Sequence, residues 1–209
     1  MGATINFDAS VTTSYTLVSN KLSSWTDVIG SNTFTQTIDS QRPTLTTQNG
    51  LNAFDFNKDA SQFLSKASPF TTVTFGTYIV VYSNTNIIGY SSPISAQNNG
   101  KYLVSHGDAT NTLFWTGLDA NTWANKVQIG TPSSATDTIP RSYVNNLAVI
   151  TQTMTSLKTS DINGIGYQYL YPNFTNIMGK MCEIVFFPTQ LSDADRITAE
   201  NHLMNKWGI

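Results

Sequence analysis

The sequence predicts an all-β fold: a two-sheet antiparallel sandwich closed by one short C-terminal helix. Three observations predict it. Charged residues make up only 11% of the 209 positions, well under the usual quarter of a soluble protein. Ser, Thr and Asn take their place, as many short strands with polar outer positions and Asn/Gly turns require. Finally, the one convincing amphipathic helical pattern lies at residues 191–209, so a long run of strands precedes a single helix, with no sign of alternating βαβ units.

The elements follow in order. Residues 74–82 form the strongest strand, β-branched and aromatic almost throughout, and such an unbroken run reads as central. Asn98, Asn99 and Gly100 supply hairpin-like turn chemistry ahead of a strand at 101–105. Shorter candidates lie at 113–115 and 147–150, and Pro132 and Pro140 bound a polar loop. At 181–187 a strand places Cys182, Ile184 and Phe186 on one face. Pro188 ends it, and Ser192 is placed to cap the helix with Asp195 as capping-box partner. Asp193 and Asp195 sit at the positive end of the helix dipole and Lys206 near the negative end. Ala199, Leu203 and Trp207 form the apolar stripe, flanked by Ile197 and Met204, and Gly208 stops the helix.

That ending resembles the C-terminal pattern of the concanavalin A-like, laminin G-like jelly-roll domains of bacterial and phage proteins. The matching residues are Glu-Ile-Val-Phe-Phe at 183–187, Leu-Ser-Asp-Ala-Asp-Arg at 191–196 and Lys-Trp-Gly-Ile at 206–209. Earlier segments fall in the same family order: Phe-Asp-Ala-Ser at 7–10, Leu-Ser-Ser-Trp-Thr-Asp at 22–27, Gln-Arg-Pro-Thr-Leu at 41–45 and Gly-Leu-Asn-Ala-Phe-Asp-Phe at 50–56. Residues 89–141 match no motif of the family. The resemblance implies a jelly roll, one laminin G-like domain over residues 1–209, and core positions for Trp25 and Trp207.

Composition sets independent bounds. A chain of this length buries roughly 70% of its unfolded surface, enough for one two-layer core, and no linker, charge run or internal repeat divides it. The net charge of −2 offers no electrostatic footprint for nucleic acid. Hydrophobic residues reach 40% without a run long enough for membrane insertion. The first residues lack the basic stretch and apolar core of a secretory leader, and Asn6 stands where a myristoylation motif requires Ser or Thr. Cys182, the single cysteine, excludes an internal disulfide and reads as a small buried apolar residue. An extracellular-type fold without leader or disulfide fits a phage protein made in the host cytoplasm and exposed on the virion.

Candidate chemistry is sparse. Retaining glycosidases on this jelly roll need a carboxylate pair on one strand. The chain has two glutamates, Glu183 and Glu200, and the strand of Glu183 offers no carboxylate at i+2 or i+4, so no catalytic residues are assigned and no enzyme is expected. His106 falls in a turn and His202 on the helix, where packing is its simplest role. Laminin G-like domains commonly bind calcium at a rim through loop carboxylates and carbonyls. Asp108, Asp119, Asp137 and Asp161 are the candidates, but none falls in a spaced ligand motif; beyond calcium no cofactor is expected.

Two aromatic stretches remain. Trp115, Asp119 and Trp123 lie in one turn-rich segment, and Tyr167, Tyr169 and Tyr171 alternate along another. Each has the composition of a sugar-binding platform, but filling the core or burying a subunit interface is the simpler role for both. The expectation is therefore a non-enzymatic virion component: a capsid decoration, head-fibre or tail-associated protein that contacts other virion proteins or itself and touches host cell-surface glycan. The alternative is a carbohydrate-binding module or lectin-like domain of a secreted bacterial protein, located outside the cell.

Overall fold

The computed structural model describes residues 2–66, 71–85, 91–96, 106–107, 113–114, 120–130, 137–138, 145–167 and 176–209. Its strands are β1 (Ile5–Asp8), β2 (Tyr15–Val18), β3 (Lys21–Thr26), β4 (Thr33–Thr35), β5 (Thr44–Gln48), β6 (Leu51–Phe56), β7 (Leu64–Ser65), β8 (Thr71–Tyr82), β9 (Ile94–Ala96), β10 (His106–Gly107), β11 (Leu113–Phe114), β12 (Ala120–Ala124), β13 (Val127–Gly130), β14 (Asp137–Thr138), β15 (Ala148–Ile165) and β16 (Gly179–Phe187). One helix, α1 (Asp193–Trp207), closes the chain. The reading of a mostly β chain ending in a C-terminal helix holds.

Hydrogen-bonded pairs, all antiparallel, run β16–β6–β5–β3–β4–β7–β15–β8 and back to β16, which closes eight strands into a ring. The antiparallel all-β part of the expectation holds, while the closed eight-strand ring is not clearly the two-sheet jelly-roll sandwich expected from sequence. Its seams are uneven. β8 pairs along most of its length with β15 and over its second half with β16, whereas β3 meets β5 only at Lys21–Thr44 and β4 meets β7 only at Thr35–Ser65. β1, β2, β9, β12 and β13 extend the sheet off this ring.

Aromatic rings fill the interior edge to face. Phe7 meets Trp25 and Phe34, Trp25 meets Phe54, and Phe75 meets Phe186 at centroid separations of 5.0–5.7 Å, the range such pairs prefer. Trp25 and Trp207 are wholly buried, as the family pattern implies. β8 is central, as its unbroken apolar run predicts, because both of its faces are covered. Tyr78, Val80 and Tyr82 alternate with Ile79 and Val81, and all five are buried. Strand partners point the same way, so Trp123, Thr151, Ile79 and Val185 form one outward row and Asn121, Thr153 and Thr77 another. α1 lies over this outward face.

Elsewhere the local reading is corrected. β15 runs 18 residues, far beyond the apolar start that marks it in the sequence, because its later solvent-facing positions include Thr155, Ser156, Thr159 and Asp161. His106 sits in a short strand opposite Phe114, not in a turn. The predicted strand at 101–105 and the loop between Pro132 and Pro140 fall largely outside the described residues.

One glycine sets the path of the chain end. After β16 the backbone crosses β8 at Gly76, where a Cβ would stand 2.1 Å from Gln190 N and 2.2 Å from the Thr189 carbonyl carbon. Beside the crossing, β15 bulges out between Thr153 and Lys158, and Thr77 Oγ1 accepts the Leu191 N–H at 2.9 Å. Only glycine lets two backbones approach so closely. Gly76→Ala is therefore expected to destabilise the fold by about 3 kcal/mol or more, read by denaturant unfolding; a loss within about 0.5 kcal/mol would contradict the crossing.

Candidate functional site

The helix ends do different work. At its C-terminal end Lys206 Nζ donates to Asp8 Oδ2 and to Glu183 Oε2, both at 2.7 Å, and Trp207 Nε1 donates to the same Glu183 oxygen at 2.9 Å. Asp8 and Glu183 are cross-strand partners on β1 and β16. The β5–β6 hairpin completes the fastening: Gln48 Nε2 donates to the Trp207 carbonyl and Asn49 Nδ2 to that of Lys206, each at 3.0 Å. Gly208 adopts the left-handed conformation, with φ 71°, and its N–H returns to the Met204 carbonyl.

This pairing supplies the carboxylate neighbour that local spacing could not reveal, since Asp8 reaches Glu183 from the opposite end of the sequence. Asp8 Oδ1 accepts from the Ser10 N–H and hydroxyl, and both carboxylates are buried. Two carboxylates share one ammonium. Burial raises the Glu183 carboxyl above its ordinary range and Asp8 adds to that, against the Lys206 and Trp207 hydrogen bonds. Burial pulls Lys206 down, but hydrogen bonds and charge from Asp8 and Glu183 outweigh it and leave it raised. Cys182 lies beside them with its thiol pushed up to about 12 by burial, which keeps it protonated and inert at neutral pH.

At the N-terminal end, Ser192 Oγ accepts the Asp195 N–H and donates to Asp195 Oδ2 at 2.7 Å, close to the capping box expected. The buried stripe is Arg196, Glu200, Leu203 and Trp207, rotated from the predicted one. Ala199 and Met204 are half-buried, and Ile197 and His202 face solvent. Arg196 Nη1 bonds Glu200 Oε2 at 2.8 Å beneath the helix, and the Arg196 guanidinium lies 4.2 Å from the Trp123 ring centroid.

Between this end and the sheet is a cleft of about 640 Å³ lined by Asn121, Trp123, Gln128, Thr153, Gln190, Leu191, Ser192, Asp193 and Arg196. Of the two expected platform residues that are described, Trp123 lines it and Tyr167 does not. Trp123 is 7% exposed with Arg196 over one face, so the cleft has no open stacking surface. Tyr167 lies toward the other end of β15, its ring against Phe63 and over Gly164, where a Cβ would stand 1.8 Å from Tyr167 Cε1. The two aromatic stretches are thus not brought together by Trp123 and Tyr167. Trp115, Asp119, Tyr169 and Tyr171 lie outside the described residues. Sequence reasoning missed Asn121, Gln128 and Thr153, whose only signal is their place on outward strand positions beside Trp123.

Of the calcium candidates, Asp161 accepts the Thr72 hydroxyl at 2.6 Å, Asp137 has only its backbone described, and Asp108 and Asp119 lie outside the described residues. Among the described residues no cluster of three or more His, Cys, Asp or Glu side chains is placed to hold a metal, and no helix is long and apolar enough to cross a membrane.

The clasp has a pH signature. A lysine raised above its ordinary 10.5 contributes stability that is fully present below that value and lost as pH rises through the folded value. Glu183, raised above 4.5, contributes on the acid side and loses that contribution as pH rises. Stability measured upward from about pH 10.5 is expected to fall more steeply in the wild type than in Lys206→Met. Parallel curves would rule out the clasp as the source.

No family model matches the chain, and neither a curated protein nor a solved structure matches it.

Proposed function

We propose that this chain is a non-enzymatic recognition and assembly domain of a bacteriophage virion, a capsid decoration, head-fibre or tail-associated component, and that it holds host glycan in the cleft beside Trp123. The cleft is the observation that carries the reading. Its volume falls within the roughly 300–1,000 Å³ of small-ligand sites, and its amide, hydroxyl and carboxylate lining suits a hydroxyl-rich ligand. The carboxylate pair Asp8–Glu183, the arrangement closest to a glycosidase dyad, is committed to Lys206 and Trp207 under the helix, which favours a structural role for it.

The virion setting rests on the family resemblance of both chain ends and on the low charge. The same resemblance supports a concanavalin A-like jelly roll as the finer reading of the barrel, and the single-pair seams at Lys21–Thr44 and Thr35–Ser65 favour a ring flattened into two facing sheets. The secreted lectin-like module is the second reading; it uses the same cleft and differs in what carries the domain.

With few charges to screen, association with the virion or with itself is expected to survive moderately raised salt. Sedimentation of the purified protein, alone and with the particle, at low and high salt checks this. Co-sedimentation at both salts supports the virion role. A strict monomer that ignores the particle yet binds an oligosaccharide transfers the function to the lectin.

A further inference from the structure

Resting on the glycan reading above, we infer that the cleft beside Trp123 is a site for an uncharged saccharide, with Asn121, Gln128 and Thr153 as its specificity-determining residues. Strand register builds its floor. Asn121 and Thr153 are cross-strand partners, and Thr77 extends their row and anchors the chain segment that forms the opposite wall through the Leu191 N–H. β13 supplies the other wall, with Gln128 opposite Trp123. These residues stand on paired strands, so their spacing is fixed by the sheet and not by a loop.

The hydrogen-bonding capacity left over points to a ligand. Gln128 Nε2 donates to Asn121 Oδ1 at 3.2 Å, which orients the two amides against each other. Asn121 Nδ2 and Gln128 Oε1 then have no partner among the described residues, a donor and an acceptor side by side. Thr153, 3% exposed, lines the same cleft with a hydroxyl that has no partner among the described residues. A donor, an acceptor and a hydroxyl that does either match the alternating capacity of vicinal sugar hydroxyls. Asn121 is half-buried and Gln128 exposed, so Thr153 is the buried member of the three, and leaving its hydroxyl unpaired is the unfavourable state that a ligand relieves.

Charge decides the class. Arg196 is the only cation among the described lining residues and is already engaged, to Glu200 at 2.8 Å and Asp193 at 3.4 Å. An anionic sugar would bring its charge toward Asp193, on the rim, and would find no unneutralised cation. The guanidinium over Trp123, 4.2 Å from its ring centroid, acts as a positioning group that holds the indole in the cleft wall.

Isothermal titration with neutral gluco-, galacto- and manno-oligosaccharides, and with oligogalacturonate and sialyllactose as acidic probes, tests this. A neutral probe is expected to bind, with affinity unchanged by salt. Asn121→Ala, Gln128→Ala and Thr153→Val are each expected to weaken it about 3- to 10-fold at an unchanged melting temperature. Acidic probes binding alone, with loss in Asn121→Ala, would overturn the neutral class and leave the glycan reading standing. Neutral binding unmoved by all three variants would remove the site from this cleft. Silence toward every probe would sink both the inference and the glycan reading.

Discussion

Lys206 joins the first strand, the last strand and the terminal helix through two hydrogen bonds of 2.7 Å, to Asp8 and Glu183. Everything on the outer face depends on that junction. Two buried carboxylates with no cation would cost several kcal/mol, so β1, β16 and α1 are stable together or not at all. The indole N–H of Trp207 bonds the same Glu183 oxygen, which places the bulkiest apolar side chain of the helix directly on the sheet. With this end fixed and the chain forced across β8 at Gly76, the helix axis has little choice. Its N-terminal turn must lie over β12 and β15, where it walls the cleft.

Polar groups under the helix carry a cost that apolar packing would avoid. Arg196 and Glu200 form a buried ion pair, yet Arg196 Nε, Glu200 Oε1 and the nearby Thr151 hydroxyl have no partners among the described residues. Buried pairs of this kind are rarely more stabilising than hydrophobic substitutes. Their retention here makes physical sense if the guanidinium must stay over Trp123 and its charge must be cancelled. The cleft then presents neutral amides and a hydroxyl beside an ion pair whose charges offset each other.

The parts of this arrangement legible in the sequence are those written locally. Ser192, Asp195, Leu203, Trp207 and Gly208 define the helix, its caps and half of its buried face through spacings of three or four residues. The run at 74–82 declares a strand buried on both sides. Signals fail where partners are distant. Asp8 meets Glu183 only because β1 pairs with β16, and the Gln48–Asn49 cap of the helix comes from a hairpin far upstream. Arg196 and Glu200 look like a solvated i, i+4 pair, because nothing local shows that this side of the helix meets Trp123. Ring closure is illegible for the same reason: it rests on single pairs such as Thr35–Ser65. Cleft residues Asn121 and Thr153 occupy outward strand positions that resemble any polar sheet surface until the helix covers them.

Native-state amide hydrogen exchange tests most directly whether the clasp makes the helix one cooperative unit with the barrel. The slowest amides of α1, near Leu203 and Trp207, are predicted to exchange with the same opening free energy as core amides of β8 and β16, since residues in one unit open together. Helix amides that exchange through a separate opening, with the β8 and β16 amides still fully protected, would contradict the account and leave the cleft without a fixed wall.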